Sequence, residues 1–416
     1  MLLNRDRALR YMQESGLDAL IAASPVNVTY FTGYRCWLAP LMKEYMTSPG
    51  ASTNLGQSFA VFPAEGVPAL VVDSLFAVNA ADLWVSDLHP YGDPGLDRSV
   101  AADRRSGRVE RFDALLAAEG RHATPVDALL DVLARRGVTA GVIGLDMDGL
   151  PLGTRDELIT RLPRALLKDC SNLIRLVRMV KTPAEIAVLR RAAEIAEGAA
   201  QESLALARPG RTMRDLVAHF RARIARDGAD FDHFAYSVEG LGIATEPEYT
   251  FGEGDALYVD FGVLYRGYFS DSGLTLAVGG LRDAFRDRYN ALRDALAAGA
   301  GAMRPGCHAS DVRAAMWDLL APRGIKTSNP HGHGLGLEVR DYPILVADNG
   351  RRIGDDCVDV SSDLMLEPDM VLNLESCIFM PGAGAVHIEK SFLVTPTGSE
   401  PLLFQDRVAP IQPYHV

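Results

Sequence analysis

Asp260 and Asp271 are two acidic residues whose type and spacing could support chemistry. They lie in segment 254–271, where aromatic and β-branched residues predict two strands joined by a tight turn. If residues 265–266 form the turn, the two aspartates face each other directly; if residues 266–267 form it, they are diagonal neighbours. Carboxylates this close repel each other unless a proton or a cation lies between them. The hairpin is therefore a candidate site for two divalent ions about 3.5–4 Å apart, with a solvated hairpin carrying two exposed acids as the alternative.

Three further ligand-type residues follow in contexts that favour close approach. His333 lies between glycines that let the backbone bend towards a partner, although a glycine-flanked histidine is also typical of loops. Glu375 and Glu389 each interrupt an apolar, strand-like segment, where a carboxylate is costly unless it is paired or metal-bound. A hairpin centred near Gly382 would set these two glutamates opposite each other. Lys390 does not explain Glu389, because adjacent strand residues point to opposite faces. The oxygen-rich set of five suits Mn²⁺, Co²⁺, Fe²⁺ or Zn²⁺ bound in pairs, and does not suit a structural zinc.

The composition describes a soluble globular protein and argues against several other classes. The chain has 416 residues, of which 48% are hydrophobic and 23% charged, so we expect two domains. The net charge of −12 argues against a nucleic-acid partner, and no stretch is apolar enough for a membrane span. Residues 1–30 lack the order of a signal peptide. Five scattered cysteines without a CxxC pair suit a reducing compartment, so the expected location is the cytoplasm.

The first half of the chain predicts an α/β domain, because helical and strand-like segments alternate. Turn chemistry is assigned to residues 24–27 and a polar loop to residues 87–106. We place the end of this domain at residue 172, where the composition changes. Helices are predicted at residues 5–15, 109–119 and 125–136, and strands at residues 17–23, 60–62, 69–72 and 142–146.

The second half begins with a clear helix start. Thr182-Pro-Ala-Glu185 is a capping box with proline at the first helical position. Further helices are predicted at residues 213–226, 283–303 and 310–320, the last of them capped by Ser310. The final third is predicted as strand and loop, and no glycine-rich phosphate loop follows a strand.

Together, the ligand-type residues resemble the pattern of the pita-bread metallopeptidases, the family of methionine aminopeptidase, aminopeptidase P and prolidase, with creatinase as a metal-free relative. In that family two aspartates precede a histidine in a Gly-His-Gly turn and two glutamates on late strands. Segments 24–33 and 180–186 also resemble the N-terminal segment and the linker of prolidase and creatinase relatives. The residues that match the ligand pattern in order, type and context are Asp260, Asp271, His333, Glu375 and Glu389.

The resemblance implies an α/β N-terminal domain of the creatinase/prolidase type over residues 1–172 and an α+β pita-bread catalytic domain over residues 173–416. It also implies two divalent metal ions per chain, with Mn²⁺ favoured over Co²⁺, Fe²⁺ or Zn²⁺, and a homodimer. A hydroxide that bridges the metals is the expected nucleophile. Glu375 is assigned two roles, as a metal ligand and as the catalytic carboxylate that exchanges protons with the nucleophile and the leaving nitrogen.

The chain departs from the family where histidines usually contact the substrate. Residues 339–341 are Val-Arg-Asp where prolidases and aminopeptidase P have Val-His-Glu, and residues 242–249 contain no histidine. An asparagine, Asn329, stands where a third histidine is usual. The remaining candidates for substrate contact are, in falling order, His331, Asn329, Arg340 and His233.

Arg340 carries a permanent charge and several hydrogen-bond donors, but it cannot shuttle protons. It therefore indicates an anionic substrate group, such as a carboxylate, held bidentately. A surface arginine paired with Asp341 or Asp355 is the alternative.

We therefore expect a dinuclear-metal hydrolase that cleaves a small amide or peptide bond, most like an Xaa-Pro dipeptidase or aminopeptidase. The missing histidines leave a second hypothesis open, a non-peptidase relative. This would be a creatinase-like or ectoine-hydrolase-like C–N hydrolase, or a C–S lyase like dimethylsulfoniopropionate lyase. A third hypothesis is an inactive binding protein on this fold, which the five retained ligand residues argue against. The expected partner is a dipeptide or another small molecule, without nucleic acid or membrane.

Overall fold

The computed structural model divides the chain into two compact units, Met1–Arg178 with Ile353–Asp359, and Met179–Arg352 with Val360–Val416. The domain boundary that the sequence predicts after residue 172 stays a prediction. No helix of the described part is both long and apolar enough to cross a bilayer. The structure describes residues 2–36, 38, 43–50, 55–97, 99, 106–117, 121–325 and 331–403.

The first unit has the predicted α/β character. Its strands are β1 (Ala19–Ala22), β2 (Phe59–Pro63), β3 (Ala69–Asp73), β4 (Asp87–Tyr91), β5 (Val142–Leu145) and β6 (Leu166–Asp169). Its helices are α1 (Arg5–Ser15), α2 (Pro25–Thr32), α3 (Gly107–Ala117), α4 (Pro125–Arg135), α5 (Leu152–Arg161) and α6 (Ser171–Arg178). Within the described residues they surround a mixed sheet of order β4-β3-β2-β1-β5-β6.

Helix α4 shows how the sequence builds this unit. The Thr124 hydroxyl accepts a hydrogen bond from the Asp127 backbone N–H at 3.1 Å, and Pro125 occupies the first turn, so the helix begins where the sequence predicts. Helical spacing then places four apolar side chains on the face that packs against the sheet. These buried side chains are Val126, Leu129, Val132 and Leu133.

Two sequence predictions for the first unit are wrong. Residues 24–27 are not a turn: the Ser24 side chain caps α2, and Pro25 begins it. The predicted loop 87–106 contains strand β4, which pairs in parallel with β3. Its aspartate and proline obscure the strand pattern, but both are tolerated because β4 lies at the edge of the sheet.

The second unit carries the larger sheet, as an α+β arrangement. Its strands are β7 (Asp230–Ser237), β8 (Ile243–Ala244), β9 (Ala256–Tyr265), β10 (Tyr268–Phe269), β11 (Ser272–Ala277), β12 (His331–Gly334), β13 (Asp341–Leu345), β16 (Val371–Met380), β17 (Gly384–Thr395) and β18 (Gly398–Pro401). Strands β14 (Arg352–Gly354) and β15 (Asp359–Ser361) pair only with each other in the described structure. The main path runs β13-β12-β16-β17-β11-β9-β7-β8, with β10 on β9 and β18 on β17.

The helices of the second unit begin close to their predicted positions. They are α7 (Pro183–Leu204), α8 (Met213–Arg226), α9 (Asp283–Ala302) and α10 (Ala309–Leu320). The capping box of Thr182 and Glu185 is confirmed at the start of α7. Ser310 does not cap α10: the cap is His308, whose backbone N–H donates to Asp311 at 2.9 Å, while the Ser310 hydroxyl donates to Asp363.

One face of the large sheet is covered by α7 and α8. Phe220 of α8 packs edge-on against Phe234 and Phe261, with ring centroids 5.1 and 6.0 Å away. Because successive strand residues point to opposite faces, Phe261 turns towards the helices and its neighbour Asp260 turns the other way. The acidic residues are thus on the face that these helices leave free.

Candidate metal centre

A single row of cross-strand partners crosses the large sheet and carries most of the predicted ligands. His331 on β12 pairs with Glu375 on β16, which pairs with Glu389 on β17. Glu389 pairs in turn with Gly273 on β11, and Gly273 pairs with Asp260 on β9. Direct cross-strand partners share a face of the sheet, so these side chains project together. The predicted pairing of Glu375 with Glu389 is confirmed.

The first hairpin turns at residues 266–267, the second of the two arrangements allowed by the sequence. Tyr265 pairs with Tyr268, and Arg266 and Gly267 have φ angles of 52° and 88°. Two left-handed residues form the type of turn that matches strand twist. Asp260 therefore faces Gly273, and Asp271, the residue just before β11, is its diagonal neighbour.

His333 belongs to strand β12 and is fully buried, so the loop alternative is wrong. Its Nε2 lies 3.4 Å from Oδ2 of Asp271. The flanking glycines are required by close backbone contacts: a Cβ at Gly332 would lie 2.1 Å from the Asn373 carbonyl oxygen, and one at Gly334 equally close to that of Tyr342. The Gly-His-Gly motif thus lets three strands close around the imidazole.

His233 lies against the first aspartate, although sequence reasoning placed it only among substrate contacts. Its Nε2 is 2.8 Å from Asp260 Oδ1 and 3.6 Å from Asp271 Oδ1, while its Nδ1 is 2.7 Å from Asp232. Burial opposes protonation, but the hydrogen bonds to Asp232 and Asp260 raise the pKa of His233 to about 10. Each ring nitrogen of the imidazole thus lies against a carboxylate oxygen. Tyr258 completes this corner by donating to Asp260 Oδ2 at 2.7 Å.

Glu375 is contacted by two of the predicted substrate-binding residues. His331 Nε2 lies 2.5 Å and Arg340 Nη2 3.0 Å from its Oε1. The Arg340 side chain is 54% exposed, so it can also reach a bound molecule. Its described ion pair is with Glu375 and not with Asp341 or Asp355, so the alternative of a purely peripheral pair is wrong. Asn329, the remaining candidate, lies outside the described residues.

Two family models match the two halves of the chain. The model of the creatinase/prolidase N-terminal domain matches residues 5–180, and the model of metallopeptidase family M24 matches residues 187–396. The chain belongs to metallopeptidase family M24. It is a hydrolase of a family that uses divalent metal ions, and the predicted α/β plus pita-bread architecture is confirmed.

Relatives of this M24 protein are similar over its whole length. An Xaa-Pro dipeptidase of Lactobacillus delbrueckii subsp. lactis is 25% identical over 421 aligned residues, which cover 99% of each chain. The prolidase structure from Pyrococcus horikoshii aligns with a TM-score of 0.68 at 22% identity, covering 97% of this chain and 98% of the prolidase. The dipeptidase PepE structure from Mycobacterium ulcerans aligns with a TM-score of 0.71 at 24% identity, covering 98% and 96%. The two structures establish the shared fold.

Burial and nearby charges shift the pKa values of the four carboxylates of this M24 centre in two directions. Burial, together with the charge of neighbouring carboxylates, raises the pKa of Asp271 and holds that of Glu389 well above its usual range. Burial acts the same way on Asp260 and Glu375, but the imidazoles of His233 and His331 outweigh it and lower these two pKa values. Asp271 and Glu389 are thus the two carboxylates whose negative charge the neighbouring protein groups do not balance.

His387 is a site residue that sequence reasoning missed. It is fully buried on β17, two residues before Glu389, and therefore on the same face of the strand. Its Nε2 lies 3.6 Å from Glu389 Oε2. The available signal was a second polar residue at period two in an apolar strand, the same signal that identified Glu389.

The donor atoms fit divalent cations. Among the buried side-chain atoms that make no hydrogen bond in the described structure are three of this site, namely Nε2 of His333, Nε2 of His387 and Oε2 of Glu389. Buried polar atoms of this kind are normally satisfied, and bound cations satisfy nitrogen and carboxylate donors directly. The groups whose donor atoms lie within 4.8 Å of one another are His233–Asp260–Asp271, Asp271–His333–Glu389 and Glu375–His387–Glu389.

Proposed function

We propose that this M24 protein is a dinuclear-metal hydrolase that cleaves the amide bond of small Xaa-Pro-type dipeptides. The observation that carries the proposal is the convergence of all five predicted ligands on one face of the sheet, with buried donor atoms that no protein group satisfies. The full-length similarity to a protein named Xaa-Pro dipeptidase supports the substrate class. The ligands of the proposal are Asp260, Asp271, His333, Glu375 and Glu389.

Divalent cations bound there would polarise the substrate carbonyl and lower the pKa of a water molecule. The chain's own contribution centres on Glu375. Its carboxylate is buried but accessible to His331 and Arg340, so it is placed to accept a proton from the attacking water and deliver it to the leaving nitrogen. The positive groups around Glu375 keep its pKa low, which suits a group that starts the reaction as the base.

The surroundings of the centre are suited to a small molecule with two different ends. On one side, Tyr258 and Phe379 pack with ring centroids 5.4 Å apart, in an apolar cluster that includes Ala235, Ala385 and Cys377. On the other side, Arg340 offers a half-exposed guanidinium to an anionic group. A dipeptide has both an apolar side chain and a terminal carboxylate. His331 and His233 are proposed as further substrate contacts, together with Asn329.

Three finer features belong to the same proposal. Mn²⁺ is proposed as the working ion because most of the donors are carboxylate oxygens. The cytoplasm is proposed as the location, since the five cysteines are all free thiols. A homodimer is proposed from the family resemblance, and light scattering coupled to size exclusion tests it.

The decisive experiment has two steps. Metal analysis of carefully prepared protein should find about two ions per chain; less than one ion would rule out the dinuclear centre. The manganese-loaded protein is then offered Xaa-Pro dipeptides beside creatine-like, ectoine-like and sulfonium compounds, with the Glu375→Gln protein as a control for contaminating peptidases. Turnover of an Xaa-Pro dipeptide by the wild type alone supports the proposal. Turnover of another class, without Xaa-Pro cleavage, would overturn the substrate assignment and leave the metal centre standing.

A further inference from the structure

The imidazole of His387 is arranged in the same way as that of the predicted ligand His333. Both side chains are fully buried. The Nδ1 of His387 lies 3.2 Å from the Val259 carbonyl oxygen, and that of His333 lies 3.0 Å from the Gly334 carbonyl oxygen. A carbonyl accepts only from N–H, so Nδ1 carries a proton in both rings, and in the neutral imidazole Nε2 then presents a lone pair. Metal-binding histidines show this pattern, with the other ring nitrogen donating to a backbone carbonyl or a carboxylate.

His233 provides a contrast within the same site. Both of its ring nitrogens lie within 2.8 Å of a carboxylate oxygen, one on Asp232 and one on Asp260. Each nitrogen of this ring therefore has a protein partner within hydrogen-bonding distance. His387 Nε2, in contrast, makes no hydrogen bond in the described structure, although it is buried. An unsatisfied buried nitrogen lone pair is costly unless something binds it.

What His387 Nε2 faces is a pair of carboxylates. It lies 3.6 Å from Glu389 Oε2, and a donor oxygen of Glu375 completes a group whose atoms are all within 4.8 Å of one another. A separation of 3.6 Å is too long for a hydrogen bond. It is ordinary for two atoms that each lie about 2.0–2.2 Å from one shared ion.

The protein builds a fixed slot for this ring. Tyr258 stacks on it with a centroid distance of 3.9 Å and an interplanar angle of 20°. Gly273 leaves the space that the ring occupies, because a Cβ there would lie 2.0 Å from His387 Cε1. The His387 backbone is also held, since its N–H donates to the Thr275 hydroxyl and its carbonyl accepts from that hydroxyl, both at 2.9 Å. A ring held from three sides cannot turn its Nε2 away.

We propose that His387 is a sixth protein ligand of the metal centre, binding through Nε2 the ion that Glu375 and Glu389 also bind. The inference rests on the proposed dinuclear centre and extends its ligand set from one imidazole to two. Imidazole nitrogen suits Zn²⁺ and Fe²⁺ better than Mn²⁺, which prefers oxygen donors. His387 therefore also shifts the selectivity of the centre towards ions that favour nitrogen.

Cobalt-loaded protein tests the ligand directly. A histidine bound to Co²⁺ through Nε2 gives a paramagnetically shifted, solvent-exchangeable Nδ1–H proton signal. We expect at least two such signals in the wild type, one of which disappears in His387→Gln. Calorimetric titration should show the affinity for Co²⁺ reduced by about 10–100-fold or more in the same variant, with a smaller loss for Mn²⁺. His219→Gln, which removes an exposed imidazole from α8, should change neither measurement.

The outcomes separate this inference from the function on which it rests. Cobalt uptake of about two ions, with signals and affinities that are the same in wild type and His387→Gln, would overturn the ligand assignment alone. Uptake of less than one ion by the wild type would overturn the dinuclear centre, and the sixth ligand with it. If His387→Gln does not fold, the wild-type spectrum decides, because a single shifted exchangeable signal is incompatible with two bound imidazoles.

Discussion

Glu375 and Glu389 are direct cross-strand partners in the β16–β17 hairpin, and both side chains are buried. Like charges directly opposite each other destabilise a sheet, and burial strengthens the repulsion because the protein interior screens charge less than water does. Their separate environments show how the chain uses the pair. Glu375 is accompanied by His331 and Arg340, whereas Glu389 has His387 beside it and is the more isolated carboxylate. The first is suited to proton transfer and the second to cation binding.

Replacing Glu375 with glutamine tests the first of these roles. Glu375→Gln keeps the size of the side chain but removes the base, so kcat should fall by about 10²–10⁴-fold at saturating metal. Relief of the repulsion with Glu389 should leave the metal-free protein at least as resistant to urea as the wild type. Steady-state kinetics and urea unfolding check the two parts. Activity within a few fold of wild type would remove Glu375 from the proton-transfer role.

Arg340 should act on one end of the substrate only. In Arg340→Ala, the KM for dipeptides with a free terminal carboxylate should rise by about 10–100-fold, the equivalent of one lost charge-assisted hydrogen bond. Dipeptide amides should be affected far less, since they lack the anionic group. Arg340→Lys is the matched variant. Its KM should lie between those of the wild type and Arg340→Ala, because lysine keeps the charge without the planar pair of donors. Equal losses for acids and amides would show that Arg340 acts through Glu375 instead.

Lys181 and Asp341 form a buried ion pair whose loss should lower the stability of the protein. Their charged atoms are 3.7 Å apart, and the two side chains are 1% and 2% exposed. Lys181→Met would remove the opposite charge from a buried carboxylate, so the free energy of unfolding should fall by about 3–5 kcal/mol. Adding Asp341→Asn should recover part of that loss, because asparagine can still accept the hydrogen bond from the Tyr342 N–H. Urea denaturation of the single and double variants measures both effects; a single-variant loss below about 1 kcal/mol contradicts the argument.

Glu185 should make the stability of the protein depend on pH. Burial raises the pKa of Glu185 from 4.5 to about 7, against the opposing effect of Lys181. Because the folded pKa is the higher one, its contribution to stability is complete below pH 4.5 and is lost as the pH rises through 7. The shift corresponds to about 3 kcal/mol. Glu185→Gln keeps the capping-box geometry and cannot titrate.

The measurement is urea unfolding of wild type and Glu185→Gln at several pH values. The wild type should lose about 3 kcal/mol more than the variant between pH 4.5 and pH 8, since all other titrating groups are common to both. Parallel pH profiles for the two proteins would show that Glu185 has the same pKa in the folded and unfolded chains.

The sequence predicted the two glutamate ligands because each occupies a position that is costly without a function. A glutamate such as Glu375 in an apolar strand has few structural explanations. His387 escaped notice because a single histidine in an apolar strand is usually a satisfied core residue, and only the stacking on Tyr258 and the bare Nε2 show otherwise. Side-chain satisfaction is a property of the folded protein, and a one-dimensional pattern does not contain it.

The register of the first hairpin shows a second limit of prediction from sequence. Both turn positions were compatible with the aromatic and glycine pattern, and they differ by whether Asp260 faces Asp271 or Gly273. The choice depends on Arg266 adopting a left-handed conformation, which few non-glycine residues do. β11 pairs with β9 along the whole length of β11, and this pairing imposes that conformation. Long-range strand pairing, and not local preference, sets the register.

Gly273 joins two strands that are far apart in the chain, since it pairs with both Asp260 and Glu389. The full set of ligands consequently meets only when β17 has docked on β11. Retention of bound metal is then a measure of local opening: each time β17 separates from β11, the ligand set divides. The rate at which the ion escapes to a chelator should therefore follow the hydrogen-exchange rate of the β17 amides, and a ligand that closes over the site would slow both together.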